Sequence, residues 1–253
     1  MEILHTKNPF GAHVYHEETV SSTFDTARGL AEQGLPHGTV ICADFQEAGR
    51  GRLKRPWAAD RGKNLLFTIM LRYKDFSSVP KALTLRTGLA VSLAIEDLIP
   101  SLKGRVQIKW PNDVIIDAHK VAGILTEGDE KNMFIGMGVN VSQGEFPEEY
   151  RTKAGSLIQF LPDLPDNARF MLLEKILLRL YGEIEKPQVY WRESILERLY
   201  KKGELVTFVE GSSESVCLIE GTLSGIGSSG ELLIIPKGEE KERAFVSGEL
   251  RVF

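Results

Sequence analysis

Between Gln46 and Trp57 the sequence reads QEAGRGRLKRPW, three arginines and a lysine around two glycines, in a chain whose formal net charge is −4. Like charges gathered at this density repel, so the segment asks for an anion. The guanidinium forks of Arg50 and Arg52, alternating along an extended segment, can each grip a carboxylate or phosphate with two hydrogen bonds. Gly49 and Gly51 allow positive φ and a close backbone approach to a ligand. A solvated basic turn would have the same composition, and so would a short Gly-Arg segment for RNA, although only two units occur. A second cluster, KWPNDVII (Lys109 to Ile116), puts Asn112 and Asp113 in a tight turn at a strand end, where turn propensity alone also accounts for them. HKVAGILTE then places Lys120, otherwise an ordinary surface lysine, beside a strand in which Gly123 leaves room for a close neighbour. IGMGVN adds two glycines before Asn140 in an apolar strand, which signals a bulge or a close backbone approach.

The elements that must position these residues follow from periodicity. A first helix opens at Ser21 to Thr23, whose hydroxyls can cap it, carries Ala27, Leu30 and Ala31 as its stripe, and ends at Gly34 and Pro36. GTVICADFQ and NLLFTIMLR read as strands on either side of the basic loop. A long helix is expected from Pro80 to Leu98. RVQIKW, then VIID with KVAGILTE, then MFIGMGVNV are β-like runs punctuated as hairpins. Helical spacing returns from Ala168 to Lys186 and in YWRESILERLY. Beyond Lys201, GELVTFVEG, VCLIEGTLSGI, ELLIIP and AFVSGELRVF are closely spaced short strands, the signature of a small β-barrel. The expected division is therefore a first domain over 1–200 and a second over 201–253, with the boundary near Leu199 to Gly203. Strands clustered in hairpins without a regular βαβα alternation indicate α+β.

Composition bounds the function. A 253-residue chain with 42% hydrophobic and 26% charged residues is ordinary for a folded protein. Its acidic balance argues against wholesale nucleic-acid binding. Runs such as LLFTIML fall short of the ~20 apolar residues that span a bilayer. No apolar leader opens the sequence, and Cys42 and Cys217 suggest neither a disulfide framework nor a zinc site. His13 and His16 lie in a segment that reads as extended and form no metal pattern. A cytoplasmic protein without membrane contact is expected.

Taken together, STFDTA, QEAGRGRLKRPW, KWPNDV, KVAGILTE and GMGVNV, in this order and at these intervals, resemble the biotin protein ligases from about residue 15 to the carboxyl end. No single motif is specific; the set is. The resemblance implies an α+β fold of the class II aminoacyl-tRNA-synthetase-like biotin/lipoate ligase type, with a mixed or antiparallel sheet, packed helices and an SH3-like carboxyl-terminal barrel. It implies that biotin is activated by ATP to biotinyl-5′-AMP, with Mg²⁺ carried by the ATP phosphates and no metal site assigned on the protein. The acyl group then passes to a lysine of a biotin carboxyl carrier domain.

Residue by residue, the resemblance makes Lys120, Arg50 and Arg52 catalytic, Lys120 bridging the biotin carboxylate and the α-phosphate. Ser22, Thr23, Gln46, Gly49, Gly51 and Gly123, with Arg50, Arg52 and Lys120, fall on the biotin side. Arg52, Arg55, Asn112, Asp113, Lys120 and Asn140 fall on the ATP side. Trp57 and Trp110 either pack the nucleotide or are ordinary core residues. One departure stands out: where the family commonly reads Ser-Thr-Asn, this chain reads Ser22-Thr23-Phe24, which bears on biotin affinity. The pattern starts by Ser21, leaving no room for an amino-terminal helix-turn-helix unit, so a ligase that does not bind DNA is expected. A homodimer and a monomer are equally compatible. The rival readings are a lipoate or octanoate ligase, whose run of glycines does not occur here, and a non-catalytic nucleotide- or RNA-binding module. With so much charge and little apolar area, the loop from Gly49 to Arg55 is expected to be mobile until a ligand orders it.

Overall fold

A computed structural model of the protein describes residues 1–148, 150, 153–185, 190–212 and 215–251. Eight strands form its larger sheet: β1 (Glu2–Leu4), β2 (Val14–Val20), β3 (Val40–Gln46), β4 (Leu65–Arg72), β5 (Val106–Lys109), β6 (Asp113–Ile116), β7 (His119–Gly128) and β8 (Asn132–Val139). Their order is β1-β2-β3-β4-β8-β7-β6-β5. Neighbours are antiparallel except β2 and β3, which run parallel because helix α1 (Thr23–Glu32) carries the chain across between them. This is the mixed sheet expected. The amino-terminal segment, read only as extended, is two paired strands.

The sheet is covered unequally, and that places the site. Seven of the eight residues of LLFTIMLR in β4 are buried, so this strand has protein on both faces. On one face Leu65, Phe67, Ile69 and Leu71 pack with helices α2 (Leu83–Leu98) and α3 (Ala168–Glu185). On the other, α1 lays Phe24, Ala27 and Leu30 against Ile41, Met70 and Phe134. Since α1 is only ten residues long, the rest of that face is left to the basic loop. Ser22 caps α1, its Oγ accepting from the Phe24 amide at 3.3 Å. α2 begins at Leu83 rather than Pro80, because Ala82 is left-handed (φ 54°, ψ 34°) and the preceding residues cannot join the helix. α3 ends at Glu185, the expected end at Lys186 lying outside the described residues.

Helix α4 (Trp191–Arg198) leads into a second, antiparallel sheet of β9 (Leu205–Ser212), β10 (Ser215–Ile226), β11 (Leu232–Pro236), β12 (Arg243–Phe245) and β13 (Glu249–Arg251). Its order is β12-β11-β10-β9-β13. The run AFVSGELRVF, expected as one strand, is two. β12 pairs with β11 and β13 with β9, on opposite edges, so the chain must cross between them through Gly248 (φ +143°). Val252 and Phe253 lie outside the described residues. The core of this sheet is not separate. Phe208, Leu223, Ile234 and Leu250 share one apolar cluster with Leu85, Leu89, Ile108, Trp110, Ile195 and Leu199. Trp110 is 3% exposed and donates its indole N–H to the Gly230 carbonyl at 3.0 Å. That is a core position joining the two regions rather than a face turned to a nucleotide.

Candidate active site

The basic loop closes on itself. The Gly51 amide donates to Arg55 O at 2.8 Å, the Trp57 amide to Gly49 O at 2.9 Å, and Arg50 and Pro56 form an antiparallel bridge. The positive φ expected of the glycines falls instead on Leu53 (φ 55°) and Lys54 (φ 58°), while Gly51 sits at −105°. Each of those two left-handed residues costs about 1–2 kcal/mol.

Opposing contacts hold the turn. Arg50 donates to Asp25 at 3.0 and 3.3 Å and to Ser22 Oγ at 3.4 Å. Arg55 makes a two-pronged pair with Glu249 at 2.9 and 3.0 Å, and Arg52 donates to Gly248 O at 3.2 Å and to Asn112 Oδ1 at 3.5 Å. The expectation of a mobile loop assumed that nothing in the chain offsets its charge; α1 and β13 both do. Hydrogen bonding to Arg55 holds the Glu249 carboxyl below its usual range, and burial lowers the Arg52 value against the pull of Asp113 and Glu249.

Beneath the loop the sheet is bare. The β4–β8 and β7–β8 ladders run unbroken through Gly136 and Gly138, so these glycines mark close approach, not a bulge. Phe134, Gly136 and Gly138 alternate onto the face that α1 only partly covers, and Gly123 pairs with Gly138. Two rings fill the space: a Cβ on Gly138 would lie 2.5 Å from the Trp57 indole, and one on Gly136 would lie 2.1 Å from the Phe24 ring. The buried Trp57 indole N–H has no hydrogen-bond partner among the described residues.

Lys120 reaches this floor through a bulge in the neighbouring hairpin. Val121 is an extra residue between the pairs Ile115–Lys120 and Val114–Ala122. Without it Lys120 and Gly123, three apart, would point to opposite faces. With it, Lys120 Nζ lies 3.2 Å from where a Gly123 Cβ would be, 5.4 Å from the Trp57 ring centroid and 2.7 Å from Asp113 Oδ1. Asp113 Oδ1 is buried and outside hydrogen-bond alignment, so the contact is an ion pair. Asn112 donates to Ile124 O at 2.9 Å, bracing the same hairpin. Asn140 is 3% exposed and its amide donates to Gly155 O at 2.9 Å and Lys120 O at 3.5 Å; it holds the lysine's backbone.

The assigned residues thus form two groups joined by Trp57. At the amino end of α1, Thr23 donates its amide and hydroxyl to Gln46 Oε1 at 2.8 and 3.0 Å, with Ser22, Gly49 and Arg50 alongside. At the β6–β7 hairpin, Arg52, Arg55 and Lys120 face Asp113 and Glu249. A cleft of about 570 Å³ opens beside Gln46 and Trp57, lined also by Phe45, Asp60, Gln143 and Phe146, ample for a small ligand.

Two residues of the second group were not singled out from the sequence. Lys109 pairs in register with Asp113, and burial pushes its ammonium below the ordinary lysine value, against the pull of Asp113 and Glu249. It opens KWPNDVII, and its place opposite Asp113 across that turn is the available signal. Glu249 had none, being 194 residues from its partner. At least four cations therefore face two carboxylates.

A family model described as the biotin/lipoate A/B protein ligase family matches residues 17–140, which include every site residue assigned from the sequence. The structure of the biotin protein ligase from Aquifex aeolicus in complex with biotin and ATP is 30% identical, with a TM-score of 0.76, covering 94% of this chain and 97% of that one. The chain belongs to the biotin/lipoate protein ligase family. Among other family members, the bifunctional ligase/repressor BirA of Bacillus subtilis is 37% identical over 165 residues, 62% of this chain and 50% of that protein. The biotin–[acetyl-CoA-carboxylase] ligase of Mycobacterium tuberculosis is 34% identical over 181 residues, 70% of this chain and 64% of that protein. The chain thus spans about half the length of the Bacillus relatives it matches. Among the described residues of this ligase-family chain, no helix is long and apolar enough to cross a membrane.

Proposed function

We propose that the protein activates biotin with ATP and transfers it to a lysine of a biotin carboxyl carrier domain. The observation that carries this reading is the cation surplus of Arg52, Arg55, Lys109 and Lys120 over Asp113 and Glu249, set against a glycine floor. Two anions must meet in the first step, when a biotin carboxylate oxygen attacks the α-phosphorus. The bond to the β-phosphate breaks and pyrophosphate leaves. A positioned donor in such a site is worth about 3–4 kcal/mol. Lys120 lies between the glycine floor and Asp113, where it can neutralise both reactants, with Arg52 beside it on Asn112, while Arg50 stands at the amino end of α1 beside Asp25 and Ser22. In the second step a neutral lysine amine attacks the acyl carbon, the bond to the phosphate oxygen breaks, AMP departs and the amine proton is lost.

Asp113 and Asn112 carry side-chain oxygens of the kind Mg²⁺ takes, though Asp113 Oδ1 already faces Lys120 Nζ at 2.7 Å; the ion would supply charge neutralisation at the phosphates. We read the phosphates of ATP as carrying most of the ion's ligands.

We read the five strands after Gly203 as an SH3-like domain, dividing the chain at 1–200 and 201–253, and the Arg55–Glu249 pair supports a part for it in holding the nucleotide end. The deciding experiment is pyrophosphate exchange. Biotin-dependent exchange into ATP supports this function, dependence on lipoate or octanoate instead replaces it with the sister activity, and exchange with none of these acids overturns both.

A further inference from the structure

We propose that Phe24 is a positioning residue: seated in the notch that Gly136 leaves in the sheet, its ring sets where the Arg50 guanidinium stands. Phe24 is 4% exposed and belongs to the apolar cluster of Ala27, Leu30, Ile41, Met70 and Phe134. No side chain larger than hydrogen fits below it, since a Cβ on Gly136 would lie 2.1 Å from one ring carbon and 2.8 Å from the next. The ring is therefore fixed from below by β8, from the side by α1, and in direction by the Ser22 cap on its own amide. Its upper face carries Arg50, whose guanidinium carbon lies 5.5 Å from the ring centroid, within the ~6 Å reach of a cation–π contact.

The Asp25 pair, at 3.0 and 3.3 Å, tethers the guanidinium from the solvent side, and the ring is its platform on the buried side. Asp25 is 53% exposed, the Ser22 hydroxyl is 3.4 Å away, and Glu127, at 4.0 Å, is already paired with Arg28 at 2.7 Å. A polar residue at position 24, as the resembled family commonly has, could not offer that platform. The two rings on the glycine floor also differ. Trp57 rides on the loop with an N–H unpartnered among the described residues, whereas Phe24 is locked in the core, so a ligand entering the floor displaces Trp57 and meets Phe24 as a fixed wall. A small shift of that wall would move the arginine that faces the ligand's anionic end.

This inference rests on the anion-holding role proposed for Arg50, so its test has one arm that uses activity and one that does not. In the first, release of the activated acyl intermediate is timed in the wild type, Phe24→Leu, Arg50→Gly and the double variant, with melting temperatures alongside. Phe24→Leu should speed release about tenfold, and the same change in the Arg50→Gly background should add nothing. An equal effect in both backgrounds would make Phe24 merely structural and overturn the proposal. In the second, the Arg50 Nε–H resonance, assigned by its loss in Arg50→Lys, should be displaced by the ring current and should move in Phe24→Leu and in Gly136→Ala, whose added methyl must push the ring. A resonance indifferent to both substitutions overturns the positioning role even in a fully active enzyme. Failure of biotin-dependent exchange in the wild type would instead sink the ligase reading and leave this arm to decide.

Discussion

Replacing Lys120 with alanine separates the structural from the chemical work of one ammonium group. Its Nζ stands 2.7 Å from Asp113 Oδ1, in a pair whose side chains are 35% and 16% exposed. Breaking a fully buried pair costs about 3–5 kcal/mol and an exposed one about 0–1, so this half-buried contact should cost about 1–2. For a chain of this size that is a melting-temperature drop of roughly 2–8 °C. The loss arises from a carboxylate left without its cation, so adding Asp113→Asn should recover most of it. Chemistry should not recover. Losing the cation where two anions must meet removes about 3–4 kcal/mol of transition-state stabilisation, a fall on the order of 100- to 1,000-fold in adenylate formation. Single-turnover formation of biotinyl-AMP and thermal melts on Lys120→Ala and the double variant provide the check. Adenylate formation at the wild-type rate in Lys120→Ala, or a rate that returns with stability in the double variant, would refute the reasoning.

Lys109 should give opposite trends in ATP affinity and stability above neutral pH. Burial lowers its folded-state value below the ordinary 10.5, so the unfolded chain binds the extra proton in that window. Stability contributed at this group therefore rises with pH while ATP affinity falls, and Lys109→Met should flatten both in paired calorimetry and melting series. Gly138→Ala would bring a methyl 2.5 Å from the Trp57 indole, so the ring must lift; biotin binding by titration calorimetry should weaken on the order of tenfold, as overpacking of about 1–3 kcal/mol implies. Unchanged affinity would mean that Trp57 does not border the ligand. Removing residues after Lys202 should yield an aggregating protein, because it strips Phe208, Leu223 and Ile234 from Leu85, Leu89 and Trp110. A soluble, monodisperse fragment in gel filtration would show that the shared cluster is dispensable.

Much of this protein is legible in one dimension because its signals are local. Ser22 caps α1 by accepting from the Phe24 amide two residues on, Leu173, Ile176 and Leu180 fall on one helical face, and the alternation in MFIGMGV marks both the strand and the glycines that make its floor. The charge of the GRGR loop, with Asp113 and Lys120 seven residues apart in a second cluster, points to anion chemistry in the sequence itself.

What the sequence withheld was set by contacts between residues far apart. Glu249 meets Arg55 only because β13 crosses to pair with β9, and Trp110 is a core residue only because the 227–231 turn returns to take its N–H. The left-handed residues of the basic loop are Leu53 and Lys54 because ties to Asp25, Asn112 and Glu249 fix both of its ends, whatever the local propensity of its glycines. The aim of Lys120 is the sharpest instance. Strand alternation would turn it away from Gly123, and one unpaired residue, Val121, turns it back. A bulge exists only relative to a partner strand, so the residue expected to carry the chemistry could be named from the sequence, but the face it serves was decided by the pairing of β6 with β7.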